Sequence, residues 1–320
     1  MALPASLNDR LRLPAIAAPM FLVSGPDLVV EICRSGVLAT FPALNQRNSD
    51  GCAEWLSIIE ERLEAYPSAA PYGINLIVHK TNSRLAADLR LVAEHKVPLV
   101  ITSLGVVKDV VDTVHSYGGL VFHDVVNLRH AHKAAEAGVD GIIAVCAGAG
   151  GHAGVLSPFA LIDEIRSFYY GTVVLAGAMS TGRHVAAARM MGADLAYLGT
   201  RFIATRESIA IPGHKQMIVA SNAADIIYTP SISGVPANFM RPSLVNVGLD
   251  PDNLPPHHEL EGNSDAKAWK TVWSAGQGVG AVRDIPAAAE LCERMVAEYR
   301  SAISEAKHDP FVAENRALAE

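Results

Sequence analysis

Short apolar runs alternate with longer amphipathic stretches through about the first 200 residues of the chain. Runs rich in Val, Ile and Leu predict strands, whereas apolar residues spaced three and four apart predict helices. The predicted strands are residues 16–19, 37–40, 72–76, 99–102, 120–124, 141–145, 172–176 and 195–199. The predicted helices between them are residues 26–34, 53–65, 83–94, 108–116, 128–137, 158–168 and 183–191. The chain therefore repeats a strand-helix unit.

The predicted strands are almost continuously apolar. This pattern indicates a parallel sheet whose two faces are both buried, with helices covering it. Gly36, Gly118, Gly138 and Gly192 follow predicted helices, at positions where a left-handed residue commonly ends a helix. Eight such units predict an α/β protein with a (β/α)8 TIM barrel.

The strand-helix rhythm stops near residue 208. Residues 209–275 are irregular and rich in proline, with helical spacing only near 214–223 and 266–275. A predicted helix at 286–306 has an apolar face that suits packing against the barrel. The sequence thus predicts a barrel at 1–208, a helical and partly irregular cap domain at 209–275, and a C-terminal segment at 276–320 that packs back onto the barrel.

Composition narrows the expected partners. Half of the residues are hydrophobic, 18% are charged, and the formal net charge is -7. An acidic protein has no general attraction for nucleic acid or anionic membranes, so we expect neither as a partner. The four cysteines have no metal-binding or disulfide spacing, which favours a cytoplasmic protein with reduced thiols. The apolar run after Arg10 and Arg12 resembles a signal peptide, but its two prolines oppose that interpretation.

Two predicted strand ends have the features of an anion site. Residues 172–176 lead into Gly177 and Ala178, and residues 195–199 end at Gly199 before Thr200. Small residues at such turns expose backbone N–H groups that can bind an anion. In TIM barrels the turns after the seventh and eighth strands often hold a phosphate. We therefore expect a phosphorylated ligand, with ordinary turn chemistry as the alternative.

Other strand ends place polar side chains at the same rim. Asn75 lies at the end of the third strand and Asp124 at the end of the fifth. His152 lies in a glycine-rich loop after the sixth strand, which we expect to be mobile, and is the main acid-base candidate. The alternatives are a structural hydrogen bond for His152 and a plain turn for Asn75. The histidine pairs at 130 and 132 and at 257 and 258 lack a third ligand, so we expect no metal site.

Six segments, in order along the chain, resemble the nitronate monooxygenase family, formerly called 2-nitropropane dioxygenases. That family includes FMN-dependent enoyl-ACP reductases and NAD(P)H:quinone reductases. The segments are Ala18-Pro19-Met20, Gly73-Ile74-Asn75-Leu76, Ala149-Gly150-Gly151-His152-Ala153-Gly154, Leu175-Ala176-Gly177-Ala178, the run from Gly199 to Ser208, and Ala275-Gly276-Gln277-Gly278-Val279-Gly280. The resemblance extends over about residues 13–298, and the ordered set carries it.

The resemblance implies an FMN-binding barrel with a helical substrate domain. It implies that the isoalloxazine lies near Ala18, Pro19 and Met20. It also implies that Asn75 contacts the polar edge of the ring and that His152 faces the substrate. The further implied cofactor-binding residues are Asp124, Gly150, Gly151, Gly177, Ala178, Gly199 and Thr200. Gln277 is a candidate for lining the substrate pocket.

Two residues depart from the family pattern. Ala178 stands where relatives commonly have a second glycine, and its methyl group narrows the approach to the backbone. Asp124 stands where some quinone-reductase relatives have lysine. A carboxylate at this position would disfavour a negatively charged reduced flavin. These departures leave the family resemblance intact but put the reaction in question.

Three functions remain open at this level. The first is an FMN-dependent monooxygenase that oxidises alkyl nitronates or nitroalkanes with O2. The second is a reductase of quinones or enoyl thioesters, in which NADH or NADPH enters transiently because no separate dinucleotide-binding motif is present. The third is a non-redox isomerase or lyase acting on a phosphorylated metabolite. In each, the partner is a small molecule, and the apolar cap could also form a homodimer.

Overall fold

The computed structural model describes residues 3–105, 108–259 and 271–311. Eight parallel strands form a closed barrel in the order β1-β2-β3-β4-β5-β6-β8-β9. These strands are β1 (Ala15–Ala17), β2 (Leu38–Pro42), β3 (Tyr72–Ile77), β4 (Leu99–Ser103), β5 (Leu120–Val125), β6 (Gly141–Val145), β8 (Thr172–Ala176) and β9 (Leu195–Leu198). The predicted (β/α)8 TIM barrel is confirmed, and every predicted strand end lies within two residues of the observed one.

Helices connect the strands on the outside of the barrel. They are α2 (Pro26–Arg34), α3 (Ser49–Glu64), α4 (Leu85–Glu94), α5 (Lys108–His115), α6 (Leu128–Glu136), α7 (Pro158–Arg166) and α8 (Gly182–Met190). Helix α3 begins four residues before its predicted start because Asn48 caps it, with Asn48 Oδ1 accepting the Gly51 N–H at 2.9 Å. Asn127 and Thr181 cap α6 and α8 in the same way. Such a cap contributes about 1 kcal/mol to stability.

The strands separate two apolar layers. Side chains that alternate along each strand point either to the helices or to the barrel interior. Leu99, Ile101 and Phe122 belong to the interior cluster, which Leu7 of the short helix α1 (Ala5–Asn8) also joins. Every residue of β6 and β8 is buried. This double burial is why the strands lack polar alternation in sequence.

The C-terminal helix α12 (Ala288–Lys307) packs against α8 and α2. It corresponds to the predicted helix at 286–306. Its approach to α8 is close because Gly182 lies at the contact, where a Cβ atom would come within 2.0 Å of the Met295 carbonyl oxygen. In the described part of the chain, no helix combines the length and apolar character needed to cross a membrane.

The region beyond the barrel contains a second sheet that the sequence analysis did not predict. It consists of β7 (Gly151–His152), β10 (Ile226–Thr229) and β11 (Ala237–Met240), paired antiparallel in the order β10-β11-β7. Helices α9 (Thr200–Ile203), α10 (Pro212–Ala220) and α11 (Arg241–Asn246) complete this region. Helix α10 corresponds to the predicted stretch at 214–223. Residues 266–270 of the predicted helix at 266–275 lie outside the described residues, and residues 272–275 are not helical.

Candidate functional site

Four polar side chains form the upper layer of the barrel interior. Asn75, Ser103, Asp124 and Tyr197 occupy alternate positions near the carboxyl ends of β3, β4, β5 and β9. They lie on the same faces of their strands as interior residues such as Phe122. The apolar core of the barrel therefore ends in a polar floor, at the end of the barrel where active sites are found.

A chain of hydrogen bonds connects three of these residues. Asn75 Nδ2 donates to Ser103 Oγ at 2.7 Å, and Ser103 Oγ donates to Asp124 Oδ2 at 2.5 Å. Asn75 Nδ2 also lies 3.2 Å from the Ile101 carbonyl oxygen, which accepts from it. The Asn75 amide and the Asp124 carboxyl are therefore held in a definite arrangement by the intervening hydroxyl.

Two buried atoms of the floor lack a hydrogen-bond partner among the described residues. They are Asp124 Oδ1 and the hydroxyl oxygen of Tyr197. Burial raises the pKa of Asp124 to about 6, and the hydrogen bond from Ser103 partly opposes this shift. Burial also raises the pKa of Tyr197, and the Asp124 charge raises it further. A buried polar group without a partner costs about 1–3 kcal/mol, so these two atoms fit a ligand that can form hydrogen bonds with them.

The floor opens into a cavity of about 1200 Å³ between the barrel and the second sheet. The structure places around it all of the predicted site residues except Gln277: Ala18, Pro19, Met20, Asn75, Asp124, Gly150, Gly151, His152, Gly177, Ala178, Gly199 and Thr200. Gln277 is exposed and does not line the cavity, whereas its neighbours Gly276 and Gly278 do. The lining that the sequence predicted at Gln277 is thus provided by its two glycine neighbours, and a contact between the Gln277 side chain and substrate stays a prediction.

The turns after β8 and β9 meet on one wall of this cavity. Gly177 has φ +146°, a conformation open to glycine but strained for other residues. Among the described residues, the N–H groups of Gly177, Gly199 and Thr200 donate no turn or loop hydrogen bond to a backbone carbonyl oxygen. The N–H of Ala178 instead donates to the Gly148 carbonyl oxygen at 3.3 Å, which differs from its expected role towards phosphate. The Gly151 N–H, which the family resemblance also assigns to the phosphate, donates to Ser274 Oγ at 2.7 Å. The N–H groups of Gly177, Gly199 and Thr200 are therefore the ones in this wall that an anion could accept from.

Backbone strain is concentrated at the same cavity. Four non-glycine residues in the described chain have positive φ, and three of them line the cavity: Leu22, Leu104 and Ala178. Such conformations cost about 1–3 kcal/mol each and cluster at functional sites. Asn45 holds the Leu22 turn, since its side chain accepts the Leu22 N–H at 2.9 Å and donates to the Met20 carbonyl oxygen at 3.1 Å. Sequence analysis missed this role of Asn45, which carries no local motif.

His152 lies in a short strand of the second sheet, whereas the sequence predicted a glycine-rich loop. It lies in β7, where it pairs with Ala237 of β11. Two side chains of the second sheet hold the backbone on either side of His152. Asn238 Nδ2 donates to the Ala149 carbonyl oxygen at 2.6 Å, and the Tyr228 hydroxyl donates to the Ala153 carbonyl oxygen at 2.9 Å. The imidazole at the cavity is thus positioned from both sides of its short strand.

Basic side chains outnumber acidic ones around the cavity. Asp124 is the one carboxyl group among the described lining residues, and the basic groups are His123, His130, Lys133, His152 and His214. Burial lowers the pKa of both His123 and His214 to about 4, so these two are neutral near pH 7. His123 Nδ1 is 2.7 Å from the Thr102 hydroxyl. Lys133 is exposed at the rim and gives it a positive charge.

The part of this site that sequence analysis missed is mainly Tyr197. Strand alternation with interior Leu195 would have placed its ring at the barrel mouth. The cysteines, by contrast, behave as expected of inert thiols: all four are buried, and burial raises the pKa of Cys146 to about 12. Within residues 3–105, 108–259 and 271–311, no group of three metal-ligating side chains comes together.

Comparison with known proteins agrees with this architecture. The nitronate monooxygenase family matches residues 73–298, which is more than half of the chain. The chain belongs to the nitronate monooxygenase family. It is an enzyme of the oxidoreductase type. The hypothesis of a non-redox isomerase or lyase is therefore left without support.

The individual relatives are named for different activities. A nitronate monooxygenase of Paraburkholderia phytofirmans is 28% identical over 91% of this chain and 93% of its own length. A (3aS,4S,5R,7aS)-5-hydroxy-7a-methyl-1-oxo-octahydro-1H-indene-4-carboxyl-CoA dehydrogenase of Rhodococcus jostii is 25% identical over 73% of this chain and 64% of its own length. The crystal structure of a nitroalkane oxidase from Streptomyces ansochromogenes superimposes with a TM-score of 0.81 at 25% identity, covering 94% of this chain and all of that one.

Proposed function

We propose that this protein is an FMN-dependent oxidoreductase that oxidises alkyl nitronates with O2. The observation that carries the proposal is a single cavity that joins an anion-binding wall to a polar floor below an imidazole. Its volume of about 1200 Å³ exceeds the roughly 300–1,000 Å³ usual for one small ligand. It therefore has room for a cofactor and a substrate together.

The residues of this cavity suit FMN. The N–H groups of Gly177, Gly199 and Thr200 would hold the phosphate at the wall. Asn75 would contact the polar edge of the ring, and the backbone around Pro19 would lie beside it. When bound, the flavin supplies the electron chemistry of the reaction, and the protein supplies binding and orientation.

His152 is the residue that we assign to the substrate. A nitronate is small and anionic, and the positive rim at Lys133 favours its entry. The His152 imidazole would position the anionic nitro group. If the substrate arrives as a neutral nitroalkane, the same imidazole would accept its α-proton.

Absorption spectroscopy of the purified protein, before and after incubation with FMN, tests the cofactor. A protein that cannot bind FMN would refute the proposal. Anaerobic mixing with an alkyl nitronate then tests the electron donor, because bleaching of the flavin band reports its reduction. We expect bleaching with the nitronate and recovery of the band on admission of O2.

The His152→Ala variant tests the assigned role. We expect it to retain FMN and to lose at least about 100-fold in kcat/KM, as is typical when an acid-base or positioning group is removed. The matched control is His308→Ala, an exposed histidine at the end of α12 that does not line the cavity. An unchanged kcat/KM in His152→Ala would remove this residue from the mechanism.

A second candidate function has its own support. The relative from Rhodococcus jostii is named for action on a coenzyme A thioester, and the pair His130 and Lys133 on one face of α6 provides a basic rim for phosphate groups. This candidate is an NADH- or NADPH-dependent reductase of a quinone or enoyl thioester. Anaerobic bleaching of the flavin by NADH or NADPH, without bleaching by the nitronate, would favour it.

A further inference from the structure

The carboxyl group of Asp124 is isolated from positive charge at the floor of the cavity. Its Oδ2 atom accepts from Ser103, and its Oδ1 atom is buried without a partner among the described residues. The causes that shift its pKa are burial and the Ser103 hydrogen bond, with no contribution from a cation. A buried carboxylate that lacks a cation is costly, so this group favours its protonated form when water is displaced from it.

The titratable groups around Asp124 do not compensate for a negative charge. Tyr197 of β9 is the neighbour that senses the Asp124 charge, and its hydroxyl also lacks a partner. His123, the preceding residue of β5, bonds to Thr102 and is neutral near pH 7. The remaining basic groups on the cavity wall come from the surrounding elements: His130 and Lys133 of α6, His152 of β7, and His214 of α10. None of them forms a hydrogen bond or ion pair with Asp124 in the described chain.

Two unsatisfied atoms on one floor suit a ligand edge that offers hydrogen-bond acceptors when Asp124 is protonated. A carboxylic acid and a phenol can each donate one hydrogen bond. The pyrimidine edge of a flavin offers two carbonyl oxygens and a ring nitrogen as acceptors and one N–H group as a donor. A carboxylate could bind only the N–H group, but burial without a cation favours the protonated carboxyl group, which can donate to the acceptors. The hydrogen-bond chain from Asn75 through Ser103 leads directly from the residue assigned to that edge to the Asp124 carboxyl.

We propose that Asp124 binds the flavin as a neutral carboxylic acid that donates a hydrogen bond to the pyrimidine edge, so that cofactor binding takes up one proton. This inference rests on the proposed FMN function. The proton that Asp124 takes up comes from solvent.

Flavin affinity measured against pH tests the coupling. Quenching of flavin fluorescence gives the Kd of the flavin-free protein between pH 6 and 9 for FMN and for riboflavin. Riboflavin is the decisive probe, because it lacks the phosphate group, which itself titrates near pH 6. We expect the riboflavin Kd of the wild type to rise by up to about tenfold per pH unit above about pH 6, as uptake of one proton requires.

Two variants separate the protonation of Asp124 from other effects. Asp124→Asn carries a permanent neutral donor, and we expect its riboflavin Kd to be nearly independent of pH over the same range. Ser103→Ala removes the donor that stabilises the carboxylate, and we expect the rise in Kd to begin at higher pH. Ser103→Ala also keeps the proposal testable if Asp124→Asn does not fold.

The outcomes distinguish this inference from the proposed function. Equal pH slopes in wild type and Asp124→Asn, or an unshifted onset in Ser103→Ala, would overturn the role of Asp124 while leaving FMN binding intact. Absence of FMN binding by the wild type at every pH would overturn the proposed function itself. A steeper slope in the wild type than in Asp124→Asn supports the neutral acid.

Discussion

The substitution Ala178→Gly should stabilise the protein, although glycine usually does the opposite. Ala178 has φ +52° in the turn after β8, and its side chain is exposed. The left-handed conformation costs an L-residue about 1–2 kcal/mol, because Cβ crowds the following carbonyl oxygen. Glycine avoids this cost but gains about 0.4–1 kcal/mol of entropy in the unfolded chain. The difference predicts an increase of about 1 kcal/mol in the free energy of unfolding.

Equilibrium unfolding in urea measures this change on the flavin-free protein. The matched control is Ala187→Gly, which alters an exposed alanine inside α8. There the backbone is helical, so glycine should lower the free energy of unfolding by about 1 kcal/mol. The two substitutions therefore have opposite expected signs. A loss of stability in Ala178→Gly similar to that of the control would refute the assignment of strain to this turn.

Two further changes in stability follow from the packing and the buried histidines. Gly182→Ala should lower the free energy of unfolding by about 1–3 kcal/mol, because the new Cβ would lie 2.0 Å from the Met295 carbonyl oxygen. A variant that unfolds at the same temperature as the wild type would contradict this close contact. The pKa of about 4 for both His123 and His214 means that the unfolded chain binds more protons below about pH 6.5. The free energy of unfolding should therefore fall as pH decreases from 6.5 to 4. His214→Gln should reduce this slope against pH by up to about 1.4 kcal/mol per pH unit. If urea unfolding gives the same slope for the variant and the wild type, His214 is not the source of the pH dependence.

The barrel was predictable from local patterns because its signals are local. Each strand is buried on both faces and so forms a short apolar run, each helix has its own periodicity, and three of the barrel helices begin at a capping side chain. The position of the site followed from a general rule about strand ends rather than from any single motif. Asn75 and Asp124 could be named in this way because each lies near the carboxyl end of its strand.

The second sheet could not be predicted in the same way. β7 contains two residues, Gly151 and His152, and its partner β11 begins at Ala237. A strand of this length carries no period of its own, and its pairing depends on contacts between distant parts of the chain. The pairing that positions His152 is therefore a tertiary property.

The (β/α)8 order, the family and the end of the barrel at which small and polar residues gather are all encoded in local patterns of the chain. Folding adds the hydrogen bonds by which Ser103 links Asn75 to Asp124, and the position of Tyr197 beside them with an unsatisfied hydroxyl. It also leaves Gln277 outside the cavity lining. This division arises because apolar periodicity reports burial along one element. The hydrogen-bond partners and the desolvation of a carboxyl group depend instead on neighbouring strands, and those strands become neighbours only when the barrel closes.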